Sequence, residues 1–280
     1  MLVNMTKYVK TASQSDTIVP AFNVFGYEDA FAVIRAAEKF HAPAILMSNS
    51  DSVEHMDLKH SAALYRSLGE ATDIPVSIHL DHAKTFELIL RGVEAGYTSV
   101  MYDGSALSLE ENIENTQEVI ELAEKHNISV EAELGSVPYI DRNEEVKSIL
   151  TSPEEAGIFT RKARVNGLAV AVGSLHRMQT RRAKLDFNRI VEIEHNTDVP
   201  LVIHGFSGII AGDIKRLCST TVGKVNIGTE LRLTFGNSLK SEIELNPDEF
   251  DRVKLFKKPM KAVQDAVEEK YRLLGWEEKE

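Results

Sequence analysis

Cysteine is almost absent from this 280-residue chain. Cys218 is the only one, so an internal disulfide and a thiolate metal cluster are both excluded. A reducing compartment follows, and the cytoplasm is the expected location. Cys218 ends a helical-looking stretch and is expected to pack. No apolar run approaches the ~18 residues of a membrane span. Residues 1–10 carry no apolar segment with a small-residue cleavage site. Positive charge is scarce as well: 32 Lys and Arg stand against 43 Asp and Glu, a formal net charge of −11. Nucleic-acid binders carry a basic footprint, so neither nucleic acid nor an anionic membrane surface is an expected partner. The chain also lacks a short internal repeat, a low-complexity segment and a Pro/Gly-rich linker. A glycine-rich phosphate loop usually follows the first strand of a doubly wound open sheet. Here the first apolar run continues as Ala21-Phe22-Asn23-Val24-Phe25-Gly26, with no such loop.

What the chain does have is alternation. Short apolar, β-branched-rich runs recur at residues 17–22, 44–47, 76–80, 99–102, 129–132, 168–172, 201–203 and 224–227. Their lengths suit strands. Their continuous apolar character suits a parallel sheet covered on both faces. Helical patterns occupy residues 28–40, 85–95, 109–126, 187–195, 211–218, 229–242 and 260–274, and another opens at Ser152-Pro153-Glu154-Glu155, an N-cap followed by proline and acids. Strands alternating with helices at this length predict a single (β/α)8 barrel over residues 1–280. The polar stretch 135–151, after the fifth run, is expected to be a mobile loop over the site.

A barrel of this kind works at the carboxyl ends of its strands. Each run delivers a polar group there: Asn23, Ser48 to Ser50, Asp81 and His82, Asp103, Glu133, His176, His204 and Asn226. The opposite ends begin mostly with Pro43, Pro75 or Pro200. His82, His176 and His204 follow three different runs, and Asp81 stands beside the first. Three nitrogen donors with one open position suit a catalytic zinc ion, and the adjacent carboxylate suits an acid/base. The loops after strands seven and eight are the usual phosphate site of the fold. They read His204-Gly205-Phe206-Ser207-Gly208 and Asn226-Ile227-Gly228-Thr229-Glu230. Gly205 and Gly228 let backbone approach an anion, Ser207 and Thr229 add hydroxyls, and Thr229 is placed to open a helix.

Seven segments carry a family resemblance: Val19-Pro20-Ala21-Phe22-Asn23, His79-Leu80-Asp81-His82, the run from Ser99 to Ser105, Val130-Glu131-Ala132-Glu133-Leu134-Gly135, the run from Leu168 to Gly173, Leu201-Val202-Ile203-His204-Gly205 and Lys224-Val225-Asn226. With them the chain resembles the class II, metal-dependent ketose-bisphosphate aldolases, nearest the tagatose/fructose-bisphosphate branch. The resemblance implies a lyase of carbohydrate metabolism that cleaves a phosphorylated ketose to dihydroxyacetone phosphate and an aldehyde. It implies zinc on His82, His176 and His204, with Asp81 as general acid/base. Asp103 and Glu133 match carboxylates near the metal that can hold a second ion. Gly205, Ser207, Asn226 and Thr229 match the groups around the phosphate-bearing half. A homo-oligomer, dimer or tetramer, is expected. The alternative electron sink is a lysine Schiff base, but no lysine follows the sixth run, and Lys224 reads as lying at the wrong end of strand eight.

Three positions depart from the family pattern. Arg177 follows His176 where glycine is usual, a residue that offers backbone to phosphate and a monovalent cation. The arginine is expected to keep that backbone only with ordinary dihedrals, and then either to fork onto an anion or to face solvent. Phe206 replaces a small residue and is expected to narrow or cover the pocket. The Gly-Gly-x-Glu-Asp segment usual after strand five is missing, leaving Asp141, Glu144 or Glu145 as substitutes. A paralogue acting on another ketose phosphate, or a non-catalytic partner subunit, fits these departures. A metal-dependent hydrolase is the further alternative, although no His-x-His pair ends strand one.

Overall fold

The computed structural model describes residues 1–138, 149–178 and 183–279. Eight parallel strands close into a barrel in sequence order, and the last pairs with the first. They are β1 Val19–Asn23, β2 Ala44–Ser48, β3 Val76–Ala83, β4 Ser99–Tyr102, β5 Ser129–Leu134, β6 Gly167–Val170, β7 Leu201–Ile203 and β8 Val222–Ile227. Around them run α1 Thr6–Ala12, α2 Tyr27–Phe40, α3 Ser50–His55, α4 Leu58–Glu70, α5 Phe86–Ala95, α6 Leu109–Lys125, α7 Pro153–Ala163, α8 Phe187–Asn196, α9 Ala211–Leu217, α10 Thr229–Leu245 and α11 Arg252–Leu273. The expected (β/α)8 class is the class observed. No helix among the described residues is long and apolar enough to cross a membrane.

Side chains that can satisfy orphan backbone groups start several of these helices. Ser108 and Glu111 form a capping box on α6, and Ser152 with Pro153 opens α7. Thr85, Asp57 and Asp186 each accept a first-turn N–H in α5, α4 and α8. Three helices escape the sequence pattern. The buried face of α4 carries Ser61, Ala62 and Gly69 beside Leu58 and Tyr65, too polar and small to show an apolar stripe. α1 and α3 are only two turns or less. The last helix begins at Arg252 and not at residue 260, because it runs through Pro259, where a break is the commoner outcome.

The strand faces sort by the period of two. One set of residues, including Phe22, Leu46, Ile78, Val100, Val130, Leu168, Ile203 and Val225, packs outward into the large core beneath the helices. The other set fills the barrel. Val19, Ala21, Ile45 and Met47 pack there with Met5, Val9 and Ala12, so α1 plugs the floor. Met101, Ala169 and Val202 make a small apolar cluster inside. Alternation is invisible in these strands because both faces are apolar. In β3, β5 and β8 the inner face is polar: Ser77 and His79, Glu131 and Glu133, Lys224 and Asn226 are all buried. Cys218, just past α9, is half-buried against the core.

Candidate active site

The carboxyl ends of the strands surround a cavity of about 670 Å³, counted to its opening. Asn23, Asp81, His82, His176, Arg177, Gly205, Ser207, Asn226, Gly228 and Thr229 all line it. Asp103 and Glu133 join it through His82. His204 joins it in the same way, its Nδ1 3.1 Å from His82 Nε2, so these candidates from the sequence meet in one place.

Asp81 and His82 reach the mouth together for a local reason. Neighbours in a regular strand point to opposite faces. The β3–β4 register shifts between Leu80 and Ala83, and His82 takes a φ of +53°. Asp81 keeps the inward face of Ser77 and His79, and the irregularity turns His82 toward the same mouth. The Asp81 carboxylate accepts from Asn23 Nδ2 at 2.9 Å and from Asn226 Nδ2 at 3.1 Å.

The three histidine rings lie edge to face, with centroids 4.8 to 5.8 Å apart. Their candidate donor atoms lie within 4.8 Å of one another. His82 Nδ1 is 3.1 Å from Asp103 Oδ2 and 3.5 Å from Glu133 Oε2. These acceptors assign the proton to Nδ1 and leave Nε2 for the cavity. His204 is oriented the other way round. Its Nε2 lies 3.0 Å from Glu131 Oε1 and 3.1 Å from Asn226 Nδ2, so its Nδ1 faces the cavity. The two inward nitrogens are 3.1 Å apart. Two nitrogens on one tetrahedral zinc at ~2.0–2.1 Å would be separated by roughly 3.3 Å. A ligating histidine is commonly held through its other nitrogen by a carboxylate or amide, as both of these are. The set therefore fits a divalent ion bound by nitrogen. His82 also belongs to a second group with Asp103 and Glu133, whose donors meet the same distance.

Electrostatics sharpen the contrast among the rings. Burial pushes His82 down, but Asp81, Asp103 and Glu133 outweigh it and lift the ring to about 10. Burial holds His176 and His204 well below the usual imidazole range. Burial also lifts Glu133 to about 8, and its Oε2 has no hydrogen-bond partner among the described residues. At Asp103, burial works upward, yet the hydrogen bond and charge of His82 hold it well below the carboxylate range.

The loops between these residues are tied together. Gly205 has φ +72°, and a Cβ there would come within 2.5 Å of Leu175 O. Only glycine lets the His204 loop lie against the backbone beside His176. The His176 amide donates to Pro138 O at 2.9 Å. The ends of the stretch expected to cover the site are pinned: Ser136 N donates to Ile149 O at 2.8 Å, and Thr151 donates to Leu134 O. The intervening candidates Asp141, Glu144 and Glu145 lie outside the described residues.

Two expectations need correction and a third needs completing. Arg177 does not have ordinary dihedrals. Its φ is +59°, so it holds the left-handed conformation that favours glycine. It lines the cavity and donates to Asp51 Oδ2 at 3.0 Å. Of the two outcomes expected for Phe206, covering is the one corrected: it is 1% exposed and packs into the core, and it stands in the cavity wall, which leaves the narrowing alternative open. Lys224 lies in the amino-terminal half of β8, paired with Val19 at the start of β1 and outside the cavity lining, but it is not a bystander. It is fully buried inside the barrel, with Nζ 2.8 Å from Glu131 Oε2 and 2.7 Å from Asn226 Oδ1. Sequence reasoning passed over Glu131 and Lys224 as functional positions, and also Asp51 and Arg232. Alternation offered one signal: Glu131 is two residues before Glu133 on the same face of β5.

A closed barrel with three imidazoles and several buried carboxylates at the carboxyl ends of its strands defines a barrel enzyme with a candidate metal centre. The family model for fructose-bisphosphate aldolase class-II matches residues 3–279. The chain is 35% identical over 262 residues to the D-tagatose-1,6-bisphosphate aldolase subunit GatY of Klebsiella oxytoca, covering 92% of each. It is 34% identical over 278 residues to a probable fructose-bisphosphate aldolase of Bacillus subtilis, covering 98% of each. The crystal structure of the YdjI aldolase from Escherichia coli K12 superposes with a TM-score of 0.86 at 30% identity, covering 99% of this chain and 98% of that one. The chain belongs to the class-II fructose-bisphosphate aldolase family and is an aldolase, a carbon–carbon lyase.

Proposed function

We propose that the chain reversibly cleaves a phosphorylated ketose to dihydroxyacetone phosphate and an aldehyde, with zinc on His82, His176 and His204 and Asp81 as the acid/base. The observation that carries this reading is the pairing of the inward nitrogens of His82 and His204, 3.1 Å apart, beside an Asp81 carboxylate fixed by two amides. Three nitrogen ligands and an open position suit zinc. A divalent ion bound there supplies a Lewis acid for the ketose carbonyl and offsets the charge left when the C3–C4 bond breaks.

The chain's own groups supply the remainder. Asp81 takes the C4 hydroxyl proton in cleavage and returns it in condensation. Asn23 and Asn226 donate to its two oxygens, fixing the carboxylate while leaving each oxygen a further lone pair. The phosphate lies between Gly205–Ser207 and Asn226–Thr229, where α10 begins at Thr229 and its N–H groups favour an anion. Gly228 keeps that approach open, since a Cβ there would sit 2.7 Å from Asn23 Oδ1. Asp103 and Glu133 offer a second cation a place on the far side of His82. A cytoplasmic homo-oligomer working as one domain per chain completes the reading.

Metal analysis combined with a coupled assay for dihydroxyacetone phosphate release is the test. One zinc per chain with release of the triose phosphate is expected. Absence of bound metal, together with no exchange of the C3 proton of dihydroxyacetone phosphate, would overturn it.

A further inference from the structure

The outer wall of the cavity is built around one carboxylate. Asp51, in the first turn of α3, accepts at Oδ2 from Arg177 Nη2 and from Arg232 Nη1, each at 3.0 Å. Asn49 caps this helix through Ser52 N–H at 3.0 Å, which fixes where Asp51 begins. Arg232 is further oriented by its guanidinium lying 4.8 Å from the centroid of the Phe25 ring. Among the described residues, both guanidinium groups that line the cavity are thus turned onto an acid supplied by the chain itself.

Beyond Arg232 the space continues. A second cavity of about 1080 Å³, open to solvent and lined by Asp51, shares Phe25 and Arg232 with the first. Its walls are the rings of Phe25, Phe235 and Phe256 and the carboxylates of Glu28, Asp29, Asp51 and Glu54. Arg252 answers Glu28 at 3.2 Å. An anionic end-group entering here would compete with Asp51 for its two cations while facing further acids. A polyol would meet neither penalty. Its hydroxyls donate to carboxylates, and its C–H faces pack on aromatic rings.

Resting on the aldolase reading above, we propose that Asp51, by holding Arg177 and Arg232, selects a ketose phosphate whose far end is an uncharged polyhydroxy chain, so that the aldehyde product carries no phosphate. The single phosphate is the one between the strand-seven and strand-eight loops. The polyol tail runs past Phe25 into the second cavity, and Asp51 discriminates against a second phosphate by occupying the guanidinium groups it would need. Asp51 is a specificity residue and takes no part in bond cleavage.

The test is condensation of dihydroxyacetone phosphate with two acceptors, glyceraldehyde and glyceraldehyde 3-phosphate, on the metal-loaded full-length protein. Exchange of the C3 proton of dihydroxyacetone phosphate is measured in parallel. The wild-type protein is expected to favour glyceraldehyde by at least tenfold in kcat/KM, and a four- or five-carbon aldose should do better still. Asp51→Asn should shift the ratio toward glyceraldehyde 3-phosphate by about tenfold, with the change appearing mainly in KM. A wild-type preference for glyceraldehyde 3-phosphate would overturn the proposal, and so would an Asp51→Asn variant whose ratio does not move. Proton exchange separates the two readings. Exchange with the wrong acceptor preference defeats only the specificity proposal, whereas absence of exchange defeats the aldolase reading itself. The wild-type ratio needs no variant, so poor folding of Asp51→Asn leaves the first criterion standing.

Discussion

The inner and outer walls of the same mouth are built on opposite terms. Inside, Glu131 and Lys224 are fully buried, and His204 is almost so, in one line of contacts. Outside, Asp51, Arg177 and Arg232 keep 34%, 33% and 50% of their side chains exposed. Buried polar groups are costly unless every partner is present. Half-exposed ion pairs are worth only about 0–1 kcal/mol. The inner wall is therefore committed to one arrangement, while each single contact of the outer wall adds little to stability and its hold comes from two arginines converging on one carboxylate. That division suits an enzyme whose bond chemistry is fixed and whose acceptor is a matter of rim residues.

Breaking the inner wall at the histidines should have the largest effect. His204→Ala removes an inward nitrogen and leaves Glu131 and Asn226 without the ring between them. Metal and activity are expected to disappear together in elemental analysis and a turnover assay. Full metal occupancy in that variant would end the assignment. Asp81→Ala should come next. It spares the three nitrogens but removes the proton acceptor, so turnover should fall roughly 10²–10⁴-fold at unchanged metal content. Wild-type turnover would place the proton transfer elsewhere.

Lys224→Met tests whether the inner wall is committed as a unit. Glu131 would then stand buried with its lysine gone, a loss of about 3–5 kcal/mol by analogy with broken buried pairs. Metal affinity should also fall about 10–100-fold, because Glu131 orients His204. Denaturant unfolding reads the first effect and a competing chelator the second. The double variant Lys224→Met with Glu131→Gln should recover stability but not affinity. Recovery of both would make the pair merely structural.

How much of this was legible before folding follows from the same division. The strand-end groups could be read because each follows an apolar run, and chain order alone puts them at one mouth. The Glu131–Lys224 pair could not, since its members are 93 residues apart and a lysine within an apolar run gives no sign of facing inward. The bulge that aims His82 leaves no signature in residue type either. Helix α4 stayed hidden because close packing let Ser61 and Gly69 take buried positions. At the rim, Arg177 was recognisable as an arginine in a glycine position. Its partner Asp51 is 126 residues away, and only the closed barrel brings them together.

Arg177→Gly should produce the smallest effect, and it tests whether the outer wall is as loosely held as its exposure implies. Three contributions can be set against one another among the described contacts. Arginine at a φ of +59° carries a left-handed cost of about 1–2 kcal/mol that glycine does not. Glycine gives back about 0.4–1 kcal/mol through the greater freedom of the unfolded chain. The lost pair with Asp51, at one-third exposure on each side, is worth about 0.2–1 kcal/mol. These nearly cancel, so stability is expected to change by less than about 1 kcal/mol, a shift of only a few degrees in Tm. KM for the phosphate-bearing half should stay within about twofold, because that half sits between Gly205–Ser207 and Asn226–Thr229. Arg232 still engages Asp51 at 3.0 Å in this variant's parent geometry, so acceptor preference should move less than in Asp51→Asn. A loss of stability as large as that of Lys224→Met would mean that the rim is locked like the interior, and the contrast between the two walls would fail.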